Sequence, residues 1–258
     1  MIIELFGPPG VGKTTFASAL AGRLRERGRE VKLVLSYRPS EDSLASPETS
    51  AGLHMPAVLR RLVRPMVETL AVMGDSGDPR GACTAAEVIR LLRPRNVVRS
   101  LRLRQYLLRL SRNWRRAELP SDIVLFDQAF VQAVYTLALV TRSANPERIG
   151  LALDAVPVPG LLIRLHAPPE VLAARLAERR RHQGRIEQLL DAWTDLGSLW
   201  IFDQLHGMLQ ARGRLVTCLD ATDQRSLAQG VDEVEGIVLK AEGAVWARCA
   251  AGQNGAGS

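Results

Sequence analysis

Gly7-Pro8-Pro9-Gly10-Val11-Gly12-Lys13-Thr14 is the stretch that most restricts what this chain can become. It fits the pattern G-x-x-x-x-G-K-[ST] in full. Ile2 to Phe6 before it is a short apolar run broken only by Glu4. After it, Phe16, Ala19, Leu20 and Leu24 recur at helical spacing until Gly28, a residue placed to end a helix. Strand, glycine-rich turn and helix in this order are the context in which the pattern has physical meaning. Glycines let the backbone curl so that several N–H groups point at one anion, and the positive end of a helix starting at Lys13 adds to them. The pattern predicts that Gly7, Pro8, Pro9, Gly10, Val11, Gly12, Lys13, Thr14 and Thr15 cradle the phosphates of ATP or GTP. Lys13 is expected to reach the β- and γ-phosphates, and the Thr14 hydroxyl to ligate Mg²⁺.

Val31 to Ser36 reads as a second buried strand, which opens a parallel α/β sheet. Further apolar strands are expected at Ile123 to Phe126, Leu161 to Leu165 and Leu215 to Leu219. Helices are expected at Met55 to Met73 (interrupted at Pro65), Asn96 to Leu119, from Asp127 to Val140, Pro168 to Arg181, Arg185 to Arg212 and Arg225 to Lys240. Loops are expected around Pro39 to Pro47 and from Asp75 to Gly81. The reading is a single doubly wound domain of about five parallel strands over residues 1–249. A helical insertion spans about 39–120, a lid about 178–186, and a small, polar, frayed tail follows at 250–258.

Four segments resemble the nucleoside and nucleotide kinase group of phosphate-loop proteins, most nearly thymidylate kinases. They are the loop with its flanks, Val124-Leu125-Phe126-Asp127, the run Leu162 to Val171 with Arg175 and Glu178-Arg179-Arg180-Arg181 behind it, and Leu215 to Thr222. Residues about 39–120 lie outside the resemblance. It implies that Asp127 takes a proton from the acceptor or holds Mg²⁺ through water. It implies that Arg179, Arg180, Arg181 and Arg185 close over ATP and stabilise charge on the moving phosphoryl group. It also implies that Ala221 sits in the turn flanking the adenine, that Arg38 lies near the acceptor, and that the chain pairs as a homodimer. The activity so implied is transfer of the γ-phosphate of Mg-ATP to a hydroxyl or phosphate of a small acceptor. One departure matters. Where the family carries an arginine that grips the acceptor's phosphate, this chain has Gln128, which offers hydrogen bonds but no charge; a neutral acceptor becomes the better match. Two alternatives share the loop: a non-catalytic or regulatory ATP-binding protein, and an AAA+-like ATPase. The latter needs Asp-Glu where this chain has Asp127-Gln128.

Composition bears on partners. The chain carries +7, yet ten arginines and no acid fall between Val88 and Ala117, so this block alone carries +10 and the rest sums to −3. On a helical wheel Arg95, Arg99, Arg102, Arg109, Arg112 and Arg116 share one broad face, with Leu103, Leu107, Leu110 and Trp114 on a separate stripe. The stripe is expected on the core. The arginine face from Arg95 to Arg116 is read as a solvated surface, part of the acceptor site, or a surface for an acidic partner or anionic lipid or nucleic acid. Three scattered cysteines give no metal or disulfide spacing and fit a reduced, cytoplasmic setting. The longest apolar run, Val131 to Val140, is about half a membrane span, so neither a membrane span nor a secretory signal is expected.

Overall fold

The computed structural model describes residues 1–35, 79–92, 97–118, 123–141, 145–182 and 199–253. Five strands form one all-parallel sheet: β1 (Ile2–Phe6), β2 (Val31–Val34), β3 (Ile123–Phe126), β4 (Leu161–His166) and β5 (Val216–Asp220). Their spatial order is β2-β3-β1-β4-β5. The described helices are α1 (Lys13–Glu26), α2 (Pro79–Leu92), α3 (Val97–Ala117), α4 (Phe130–Thr141), α5 (Pro146–Asp154), α6 (Pro169–His182), α7 (Trp200–Ala211) and α8 (Gln224–Gln253). The expected α/β class and doubly wound parallel sheet of five strands are both present.

Side-chain alternation along each strand divides the core in two. On one face Ile3 and Leu5 of β1 and Ile163 and Leu165 of β4 pack under Phe16, Leu20 and Leu24 of α1, Leu172 of α6 and Val234 of α8. On the other, Phe6, Val124 and Phe126 meet α2, α3, α4, α5 and α7. Here Trp114 stacks on Phe126 at 5.3 Å and meets Phe130 edge-on at 5.4 Å. Of the apolar stripe of the arginine helix, Leu107, Leu110 and Trp114 are buried and Leu103 is partly buried against the same core. Burying an aromatic pair of this kind contributes about 0.5–1.5 kcal/mol beyond the area removed from water.

Several sequence expectations need correction. The second strand stops at Val34 and is only partly buried, because it lies at the sheet edge, and Leu35 beyond it is 48% exposed. Pro79 to Gly81, expected in a loop, begins α2, where proline is tolerated because a first-turn N–H has no helical partner. The strands near Leu161 and Leu215 run Leu161–His166 and Val216–Asp220, and the helix expected from Pro168 begins at Pro169. Helix α5 was not expected, although Asn145 caps it by accepting from the N–H groups of Glu147 and Arg148, with Pro146 at its first turn. The last helix passes Lys240 and Ala250 to reach Gln253, carried by an alanine-rich run of good helix formers. The expected helix over 55–73, the first part of the helix from Arg185, and Arg38, Arg93 and Arg95 lie outside the described residues.

Candidate nucleotide site

The site follows from the winding. From β1 the chain leaves through α1 on one face of the sheet toward β2; from the neighbouring β3 it leaves through α4 on the other face toward β4. Adjacent parallel strands whose connections diverge open a crevice at their carboxyl ends, where ligands bind in such sheets. The phosphate loop ends β1 and Asp127 ends β3, so both border that crevice.

Backbone geometry shapes the loop. Gly7, Gly10 and Gly12 have φ of 151°, 80° and 100°, a region that side chains rarely adopt. At Gly7 a Cβ atom would sit 2.4 Å from the Leu165 carbonyl oxygen, so the loop leaves the sheet only because that atom is missing. Gly12 is the N-cap of α1, whose first N–H groups face the loop.

Two groups expected to work together do meet. The Thr14 hydroxyl donates to Asp127 Oδ2 at 2.9 Å, across 113 residues of sequence. Asp127 is 1% exposed, and its backbone N–H donates to Val34 O at 3.2 Å, which holds the end of β3 against β2. A hydroxyl and a carboxylate are hard oxygen donors, the kind Mg²⁺ takes. Lys13 is buried, and its Nζ donates to Gly7 O at 2.7 Å and Pro8 O at 3.0 Å. The ammonium thus lies over the loop and is held by the carbonyls that a phosphate would compete with.

Four further residues, given no site role by the sequence, shape the crevice. Gln132, buried in α4, accepts from the Gly7 N–H through Oε1 at 3.1 Å. Glu4, fully buried in β1, accepts from the N–H groups of Val131 at 2.6 Å and Gln132 at 3.3 Å, at the positive end of α4. Its other oxygen has no partner among the described residues, and burial pushes its pKa up to about 8. Tyr106 of α3 has its phenol pushed above the usual range by burial, with the Glu4 and Asp127 carboxyls adding to the effect. Arg175 of α6 donates to Val11 O at 3.3 Å, Ala221 O at 2.9 Å and Thr222 O at 3.0 Å. Glu4 broke the apolar pattern of its strand, which was the visible signal, and Arg175 stood in a segment that carries the resemblance; Gln132 carried none.

A cavity of about 660 Å³ adjoins the loop between α1 and α8. Gly10, Gly12 and Thr15 border one side, Asp223, Gln224 and Leu227 the other, and Arg175 also lines it. Its volume falls within the usual range for small-ligand sites. Ala221 is fully buried; its N–H donates to His166 O at 2.8 Å and its carbonyl accepts from Arg175, so it supports the cavity's edge rather than lining it. The arginines expected in a lid fall at the end of α6 or outside the described residues. Arg181 is exposed and pairs with Glu178 on its own helix at 2.8 Å, Arg179 is half-buried, and Arg185 lies outside the described residues. Gln128 is half-buried beside Asp127. Among the described residues no helix is long and apolar enough to cross a membrane, and none of their His, Cys, Asp and Glu residues cluster as a ready-made metal site.

No family model and no curated protein matches the sequence. Among solved structures the chain is similar to a deoxyadenosine kinase from M. mycoides, solved with its product dCMP and a flexible dCDP bound. The identity is 13% and the TM-score 0.45, over 92% of this chain and 100% of that one.

Proposed function

We propose that this chain is a phosphotransferase that moves the γ-phosphoryl group of Mg-ATP to a hydroxyl of a small, neutral acceptor. The observation that carries this reading is the hydrogen bond between Thr14 and Asp127 at the mouth of a complete phosphate loop. A loop alone holds phosphates. A loop hydroxyl joined to a buried carboxylate on the neighbouring strand also offers the pair of oxygen atoms that would hold Mg²⁺ there. Mg²⁺, when bound, supplies neutralising charge to the phosphate oxygens.

The chain's own residues supply the rest. Lys13 exchanges its two loop carbonyls for phosphate oxygens. The base occupies the cavity between Gly12 and Leu227, bordered by Arg175. As the acceptor oxygen bonds to the γ-phosphorus, the bond from that phosphorus to the β–γ bridging oxygen breaks and ADP leaves. The acceptor hydroxyl gives up its proton, and Asp127 is the buried carboxylate available to receive it. Arg179 and Arg181 lie at the end of α6, within the expected lid; recruiting Arg181 would require it to leave Glu178, an exposed pair worth little. Gln128 gives the acceptor side a hydrogen-bonding amide in place of a cation, which favours a nucleoside, sugar or other alcohol over a monophosphate.

The test is ATP consumption against a panel of nucleosides, sugars and nucleoside monophosphates, with products identified by mass spectrometry. A phosphorylated neutral alcohol is expected as the best product. Preference for thymidine monophosphate by a wide margin would refute the reading of Gln128. ATP hydrolysis with no transfer to any acceptor would move the chain to the ATPase or regulatory class.

A further inference from the structure

Arg175 ties the phosphate loop to the turn that follows β5. Its guanidinium reaches three carbonyls from two separate segments: Val11 in the phosphate loop, and Ala221 and Thr222 in the turn between β5 and α8. It comes from a third segment, α6, and lines the cavity that those two segments border. A guanidinium is suited to this because its donors form a rigid planar fork and it never loses its charge.

The two segments differ in how far they depend on Arg175. The loop has its own anchors: Gly7 on Gln132, Lys13 on Gly7 and Pro8, and the start of α1. Its bond to Arg175 is also the longest of the three. The turn is held by the Ala221 N–H on His166 O, by Asp220 accepting from the Thr222 N–H at 3.0 Å, and by Arg175 at two successive carbonyls. Asp223 and Gln224, which border the cavity, follow directly from those carbonyls.

We propose that Arg175 is a positioning residue that locks the β5–α8 turn to the phosphate loop, so that affinity for the base of a nucleotide depends on it while affinity for the phosphates does not. This rests on the nucleotide-binding reading above. Removing the guanidinium leaves the Ala221 and Thr222 carbonyls without their donor and unties the turn itself from the loop, while α8 beyond it stays packed on α1. The triphosphate end keeps all of its own anchors.

The experiment compares binding of Mg-ATP and of Mg-tripolyphosphate, which has no base, to the full chain by calorimetry, with Lys13→Ala as the control. Arg175→Met is expected to weaken ATP about 10- to 100-fold and to leave tripolyphosphate within about threefold. Arg175→Lys, able to reach one carbonyl at a time, is expected to fall between. Equal loss for both ligands, or loss for neither, overturns the proposal. Should Arg175→Met fail to fold, as judged by its thermal transition, Arg175→Lys and Arg175→Gln carry the same comparison with the same two outcomes. If the unmodified chain binds neither ligand better than Lys13→Ala does, the nucleotide reading itself fails and the inference falls with it. That result is distinct from tight ATP binding that ignores Arg175.

Discussion

A fully buried carboxyl in the central strand is the most unusual single residue in the fold. Glu4 sets one oxygen on the N–H groups that open α4 and leaves the other unpartnered, and its pKa rises to about 8 from an ordinary 4.5, chiefly through burial. It is therefore neutral at pH 7 in the folded chain and charged in the unfolded one. Between those two values the folded state binds a proton that the unfolded state has released, so its contribution to stability is complete below about pH 4.5 and is lost as pH rises through about 8. Glu4→Gln removes the titration and keeps a carbonyl acceptor for α4. The difference in denaturation midpoint between the two proteins should change in that direction across the range and flatten above it. Taking the difference cancels other groups, among them His206, whose value burial lowers and whose slope has the opposite sign. A difference independent of pH would mean that Glu4 is already ionised in the fold.

At the level of elements, legibility followed how local the cause was. The loop, α1, α3 and β3 were readable within a residue or two because their signals are local: glycines at fixed offsets, apolar residues at a 3.6-residue period, a short run of Ile-Val-Leu-Phe. Helix α2 was not: Pro79 and Gly81 read as loop residues and no helix was expected over 82–92, where packing buries Ala85, Val88 and Leu92 in one cluster with Phe6, Val124 and Phe126. The cap of α5 is local and legible in Asn145-Pro146-Glu147. The tightest element-level requirement is the exit of β1. Gly7→Ala places a methyl group 2.4 Å from a backbone oxygen in a backbone region hostile to side chains. A loss of about 2–4 kcal/mol in unfolding free energy is expected, measured by chemical denaturation. A loss below about 0.5 kcal/mol would show that the loop relaxes freely.

For the whole molecule, the site is a product of winding. Thr14 and Asp127 meet because β1 and β3 are neighbours whose connections leave on opposite faces. Binding at such a junction couples loop, strand end and turn, and ligand that binds only the folded state raises its stability. At about 100 times the dissociation constant the gain is about 2.7 kcal/mol, a rise in midpoint of roughly 5–10 °C for a chain of this size. Mg-ATP should produce that rise in the unmodified chain and little or none in Lys13→Ala. Asp127→Asn should keep the rise given by ATP alone and lose the increment added by Mg²⁺. If Mg²⁺ adds the same increment in Asp127→Asn, the metal is held elsewhere.

The sequence by itself determined the strand–loop–helix start, the class of the sheet, the buried stripe of the arginine helix and the identities of Lys13, Thr14 and Asp127. Each depends on backbone freedom or periodicity within a few residues. Only the tertiary structure decided which strands are neighbours, that Gln132 accepts from the loop at Gly7 while Glu4 accepts from the start of α4, and that Arg175 joins three segments. Those contacts join residues distant along the chain, and a hydrogen bond between remote residues leaves no periodic mark in the sequence.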